Sequence, residues 1–187
     1  VQGDVGSGKT AIAILALTKI VENGYQGALM APTEVLAAQH FKTFQQVFKG
    51  MPIKTAYLSG HTKAAERKEI LEQLKDGSIH ILIGTHALIE ENVVFSALGL
   101  VITDEQHRFG VKQRQALESK GKSPHVLIMT ATPIPRTMAL SVYGDLDVSF
   151  IKGMPPGRHP VKTYVVGSHM LQRIFRFMKK EMESGHQ

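Results

Sequence analysis

At 187 residues the chain has room for one domain and part of another. Its 43% apolar content can fill a sizeable core, yet no apolar run nears the roughly 20 residues that a membrane-spanning helix needs. The absence of cysteine excludes disulfides and thiolate metal sites, nine histidines without H-E-x-x-H spacing argue against structural zinc, and a formal charge of +6 favours a polyanionic partner.

In chain order, the first feature is Gly3-Asp4-Val5-Gly6-Ser7-Gly8-Lys9-Thr10, a G-x-x-x-x-G-K-[ST] phosphate-binding pattern. Gly3, Gly6 and Gly8 permit positive φ and close backbone approach, so successive N–H groups can point at phosphate oxygens. The apolar run 11–17 lies within a helix predicted over 9–23, whose N-terminal dipole would face the anion. In that pattern Lys9 reaches the β- and γ-phosphates and the Thr10 hydroxyl ligates Mg²⁺. The loop stands two residues from the start of the chain, so its feeding strand is expected to be truncated.

Strand-like runs follow at 27–31, 54–58, 79–84, 98–103, 126–130 and 148–152, alternating with helical patterns at 34–48, 63–75, 111–119 and 135–143. Continuous apolar runs at 79–83 and 100–102 suit strands buried on both faces, and the alternation predicts a mostly parallel sheet in a three-layer α/β/α arrangement. The charged helix 63–75, with Lys63, Arg67, Lys68 and Lys75 interleaved with acids, reads as a solvated face.

The strand 98–103 runs into Asp104 and Glu105. Ligands of open α/β sheets sit beyond the carboxyl ends of strands, so both acids should arrive near the phosphates. Asp104 suits a water-mediated contact to Mg²⁺; Glu105 suits orienting and deprotonating an attacking water. Phe109 could stack a base beside Arg108 or pack the turn after the acids.

Three prolines and two glycines over 153–160 mark a linker. Beyond it, a strand at 161–166 and a basic amphipathic helix at 170–182 form one βα unit. The expected division is therefore a nucleotide-binding lobe over 1–152 and the start of a second lobe over 161–187.

Several strings are recognisable. Asp104-Glu105-Gln106-His107 resembles motif II of DExH-type superfamily 2 helicases, and Thr130-Ala131-Thr132-Pro133 resembles motif III. Ala31-Pro32-Thr33-Glu34 and Gly84-Thr85-His86-Ala87-Leu88 resemble motifs Ia and Ib, in the family's order and each after a predicted strand. The longer strings from Asp104 to Val111 and from Thr130 to Thr137 resemble the RecG family of bacterial branch-migration helicases, and the likeness extends over essentially the whole chain. Transcription-repair coupling translocases share R-F-G-V and T-A-T-P-I-P-R-T but typically read D-E-E-H where this chain has Gln106. Thr103 departs from the family, which usually places an apolar residue before the Asp; its β-branched side chain still suits a strand.

The resemblance implies a RecA-like P-loop NTPase fold and a cytoplasmic bacterial enzyme that hydrolyses ATP with Mg²⁺ to move on duplex DNA and remodel branched junctions. It implies that Gln106 and His107 sense the γ-phosphate and couple it to motif III through Thr130, Thr132 and Arg136. Gln106 thereby joins Lys9 and Glu105 in catalysis. Pro32, Thr33, Gly84, Thr85 and His86 would line a nucleic-acid face, holding phosphates without regard to base. It also implies an arginine finger from a second lobe that completes the site. The alternatives are the ATPase lobe of a coupling translocase and a nucleotide-binding module without catalysis.

Overall fold

The structure is a computed structural model that describes residues 1–105, 109–131, 147–152 and 163–185. The chain divides into two compact units, Val1–Pro155 and Pro156–Gln187. In the first unit, strands β1 (Gln2–Gly3), β2 (Gln26–Met30), β3 (Thr55–Leu58), β4 (Ile81–Gly84), β5 (Leu98–Asp104), β6 (His125–Met129) and β7 (Phe150–Ile151) are interleaved with helices. These helices are α1 (Lys9–Glu22), α2 (Glu34–Val47), α3 (Ala64–Lys75) and α4 (Val111–Glu118), with a 3₁₀ turn at His86–Ile89.

Five strands form a parallel sheet in the order β3-β4-β2-β5-β6. β1 adds to it beyond β6, because Gly3 N–H donates to the Thr130 carbonyl at 3.2 Å and Thr130 N–H to Val1 at 3.2 Å. β1 in turn pairs in parallel with β7. The phosphate loop is thus fed by the two-residue strand β1, at the place where the sequence leads one to expect its feeding strand.

Every residue of β2 and β4 is buried, and apart from Gln26 at the start of β2 all of them are apolar or glycine. One side of the sheet packs Leu29, Ile81, Ile83 and Ile102 against Ala13 and Leu17 of α1 and Phe44 of α2. The other packs Met30, Leu58, Leu82 and Val101 against Ile70 and Leu74 of α3 and Leu117 of α4. Helices thus cover both faces, as predicted. Gly84 permits the tight approach of β4 to β3: a Cβ there would collide with the Leu58 carbonyl oxygen.

The amino-end edge of the sheet is tied by one buried amide. Gln26 Nε2 donates to the carbonyls of Leu74 (2.8 Å) and Ile79 (2.7 Å), while its Oε1 accepts from Ala97 N–H at 2.9 Å. This side chain joins the end of α3, the approach to β4 and the approach to β5.

In the second unit a 3₁₀ turn (Ser168–Met170) leads into α5 (Leu171–Glu183), matching the predicted helix within a residue. The strand predicted at 161–166 is not formed over 163–166, which carry no regular secondary structure. A strand needs a paired neighbour, and the described residues supply none there. The predicted helix 135–143, the linker 153–160 and residues 161–162 lie outside the described residues.

Replacing Gln26 by Met, which keeps length but takes their side-chain partner from the Ile79 carbonyl and the Ala97 N–H and leaves the Leu74 carbonyl only its bond from Gly77 N–H, should lower unfolding free energy by about 2–4 kcal/mol. Denaturant unfolding with an unchanged m-value checks this; a midpoint equal to wild type would remove the amide from the stabilising interactions.

Candidate nucleotide and nucleic-acid site

All described strands of the first unit run parallel, so their carboxyl ends share one edge, and the sequence-predicted residues gather there. The phosphate loop follows β1. Gly6 (φ 80°) and Gly8 (φ 98°) adopt left-handed conformations, and Gly8 caps the start of α1. Gly3 does not: it belongs to β1, and its missing Cβ makes room for Ser7 Oγ, which would otherwise stand 2.5 Å away. The Lys9 ammonium folds over the loop, donating to the carbonyls of Gly3 (2.8 Å) and Asp4 (3.0 Å). Ser7 N–H closes the turn onto Asp4 O at 3.1 Å, and Val5 N–H bonds Asp4 Oδ1 at 2.8 Å.

Asp104, the last residue of β5, faces this loop across a cleft of about 650 Å³ lined by Val5, Gly6, Gly8, Lys9, Thr10, Pro32, Thr33, Leu36, Gln39, His40, Asp104 and Glu105. That volume suits a small-molecule ligand. Asp104 Oδ1 accepts from Glu105 N–H at 3.0 Å, and Oδ2 meets His40 Nε2 at 2.8 Å. Glu105 sits at φ 50°, a left-handed conformation that costs a non-glycine residue about 1–2 kcal/mol and turns the chain sharply out of the strand.

His40 was not singled out from the sequence. Its signal was present all the same: α2 buries Ala37, His40 and Phe44, and a histidine on that apolar stripe needs a polar partner. Among the described residues no group of three or more His, Asp or Glu could hold a metal ion by itself. The donors present are one hydroxyl (Thr10) and two carboxylates beside a glycine-lined loop. That set fits Mg²⁺, which binds through one or two carboxylates together with substrate phosphates.

Pro32 and Thr33 follow β2 on the rim of the cleft. Thr33 Oγ1 accepts from Leu36 N–H at 3.3 Å and so caps α2. The adjoining Glu34 carboxylate pairs with His61 Nδ1 at 2.8 Å, tying α2 to the loop after β3. Thr85 is buried after β4, and its hydroxyl makes no side-chain cap to the 3₁₀ turn; His86 is exposed beside it. The hydroxyls of Ser7, Thr85 and Thr103 are buried without a protein partner. Thr130, buried just after β6, is bonded through its backbone to Val1 and Gly3, so it shares a ladder with the root of the phosphate loop. Phe109 packs against the α3/α4-side core, in favour of its packing role. Arg67 pairs with Glu90, while Lys68 and Lys75 stay exposed. Gln106, His107, Arg108, Thr132 and Arg136 lie outside the described residues.

Against known proteins, residues 1–140 match the DEAD/DEAH box helicase family. Over 186 residues the chain is 55% identical to the ATP-dependent DNA helicase RecG of Bacillus subtilis, covering 100% of this chain and 27% of that protein. It is 49% identical to RecG of Aquifex aeolicus, covering 99% and 24%. The chain thus spans about a quarter of the length of the curated relatives it matches. Among solved structures it is similar to RecG bound to a three-way DNA junction, with a TM-score of 0.80 and 47% identity over 99% of this chain and 25% of that one. The DUF1998 helicase MrfA bound to DNA and AMPPNP shares the fold at a TM-score of 0.67 and 17% identity, over 97% of this chain and 30% of that one. The expected RecA-like α/β fold therefore holds. No helix among the described residues is long and apolar enough to cross a membrane.

The Glu34–His61 pair predicts a titration. The hydrogen bond to Glu34 holds the His61 imidazolium above its ordinary value of 6.5, and the same bond holds Glu34 below its ordinary 4.5. The histidine's contribution is complete below 6.5 and lost as pH rises through its raised pKa; the carboxylate's is complete above 4.5 and lost as pH falls through its lowered one. The pair is therefore fully formed between about 4.5 and 6.5. In an NMR titration the His61 midpoint should lie above 6.5 and return to it in Glu34→Gln. Equal midpoints in both proteins would mean that the pair does not form in solution.

Proposed function

The chain belongs to the DEAD/DEAH box helicase family, and from that premise we propose that it is the first RecA-like lobe of a RecG-type DNA helicase. On this reading ATP hydrolysis drives movement on duplex DNA and remodelling of branched junctions. The observation that carries the proposal is the meeting of the phosphate loop, Asp104 and Glu105 in one cleft, with Pro32 and Thr33 on its rim.

The loop N–H groups and the α1 N-terminus bind the triphosphate, and Lys9 exchanges its Gly3 and Asp4 carbonyls for β- and γ-phosphate oxygens. Thr10, and Asp104 through water, would hold Mg²⁺, which would neutralise charge on the phosphate oxygens. Glu105, which follows Asp104 in the turn at φ 50°, accepts a proton from the attacking water. Gln106 and His107 sense the γ-phosphate and pass its loss to Thr130, Thr132 and Arg136. Pro32, Thr33, Gly84, Thr85 and His86 form the track for DNA phosphates, the first two through the α2 N-terminus and His86 through an exposed ring. Gly84 contributes backbone alone, and Thr85, buried and bonded through its N–H to Leu58 and through its carbonyl to Leu88, shapes the turn that carries His86. A second lobe supplies an arginine finger, a contribution of roughly 10³–10⁵ in rate in related phosphoryl transfer. The bacterial cytoplasm is the compartment where such an enzyme meets its DNA.

Two experiments test the reading. In the full-length protein Glu105→Gln should keep Mg·ATP affinity while turnover falls by roughly 10²–10⁴, whereas Lys9→Ala should weaken binding itself. A parallel fall of affinity and rate in Glu105→Gln would remove the proton-accepting role. DNA affinity should decline linearly on a log–log plot against salt and differ little between sequences of one shape. Strong dependence on sequence would contradict a contact made through phosphates.

A further inference from the structure

We propose that His40 is a positioning residue for the metal-side carboxylate: its Nε2–H holds Asp104 Oδ2 so that the carboxylate stays presented to the cation beside Thr10. This deepens the nucleotide-site reading and rests on it.

Three observations carry the inference. First, both oxygens of Asp104 are oriented, Oδ2 by His40 Nε2 at 2.8 Å and Oδ1 by Glu105 N–H at 3.0 Å. An ionised carboxylate only accepts, so the imidazole is the donor, and each oxygen keeps a lone pair for a further partner. Second, both residues are 8% exposed and both line the cleft, so the bond lies at its wall and is shielded from competing water. Third, His40 stands where α2 otherwise buries apolar side chains, between Ala37 and Phe44. An aliphatic residue there would pack the same helix without desolvating an imidazole. A helix dock alone does not call for this residue; a carboxylate that must keep one orientation does.

The backbone around the pair is suited to the task. Asp104 ends the central strand β5 in register with Met129, so its Cα is held by the sheet. Only side-chain rotation remains free, and His40 restrains that rotation. The imidazole comes from α2, whose first turn is fixed by the Thr33 cap and the Glu34–His61 pair. Seven residues of helix, about 10 Å, separate Thr33 from His40.

The test uses the full-length protein and three probes: ATP with EDTA, Mn²⁺ in the presence of ATP read by electron paramagnetic resonance, and ATPase rate against Mg²⁺ concentration. In His40→Leu, Mn²⁺ affinity in the presence of ATP should fall roughly 10–100-fold, with ATP binding in EDTA unchanged. The Mg²⁺ needed for half-maximal rate should rise in step, and excess Mg²⁺ should recover rate. His40→Gln, whose amide N–H reaches about as far as Nε2, should stay near wild type, while the shorter His40→Asn should resemble His40→Leu. A folded His40→Leu with wild-type Mn²⁺ affinity overturns the inference. Should His40→Leu not fold, equal Mn²⁺ affinities of the Gln and Asn variants overturn it instead. Lys9→Ala separates this failure from a wider one. If wild type binds ATP, Lys9→Ala does not, and His40 variants leave metal affinity unchanged, only the positioning role falls. If wild type binds neither ATP nor Mn²⁺ with ATP, the nucleotide-site reading falls as well.

Discussion

Parallel strands can pair side by side only if the chain crosses back over the sheet between them; α1, α2, α3 and α4 make four of these crossovers, and the one from β4 to β5 carries the 3₁₀ turn at His86–Ile89. That constraint brings every strand's carboxyl end to the same edge. The phosphate loop leaves β1 there, Pro32 and Thr33 leave β2, the His61 loop leaves β3, and Thr85 and His86 leave β4. Asp104 and Glu105 end β5, and Thr130 follows β6. Residues up to about 130 positions apart thus need no special folding signal to meet. The opposite edge carries none of this chemistry; its one buried polar side chain, Gln26, pairs backbone groups between elements.

The distribution of buried polar groups follows the same division. Of the seven buried polar residues among those described, all but Gln26 (His40, Ser59, Thr85, Thr103, Asp104 and Thr130) lie toward the carboxyl-end edge. The left-handed Glu105 and two of the buried unpartnered hydroxyls, Thr85 and Thr103, stand there too. Breaks with local preference that cluster at one rim of an otherwise apolar double core are the expected mark of a working site. The apolar clusters on both faces of the sheet offset what this rim costs.

How much of this was legible in the sequence depended on the range of the interaction that decided it. The strands 79–84 and 98–103 and the helices around Leu17, Phe44 and Leu74 declared themselves through apolar runs and periodicity, which are local. The phosphate loop was legible because its glycines and lysine are contiguous. Of the two properties expected of Gly3, the close approach is the one realised, and it depends on Ser7 and on Ile151 in β7, 148 positions away, not on its own φ. β1 was expected only from the loop it feeds, because two residues carry no periodicity of their own; its pairing with Thr130 on one side and with Phe150 and Ile151 on the other makes them a strand. The segment 163–166 differs the other way, with β-forming residues but no paired neighbour among the described residues. His40 escaped notice because a histidine gains meaning from what it faces, here a carboxylate 64 positions further on.

The His40–Asp104 contact also joins two parts of the site that motif reading keeps separate. The phosphate loop is fixed to the sheet through β1 and its bonds to Thr130, so the triphosphate side of the cleft belongs to the ladder. The rim that carries Pro32 and Thr33 belongs to α2, which rests on the sheet through Ala37, His40 and Phe44. Ala37 and Phe44 make non-directional contacts and tolerate small sliding of the helix. A hydrogen bond does not, since its strength falls steeply with misalignment. Of these three buried residues, His40 therefore makes the contact at which a displacement of the Thr33 rim becomes a displacement of the Asp104 carboxylate.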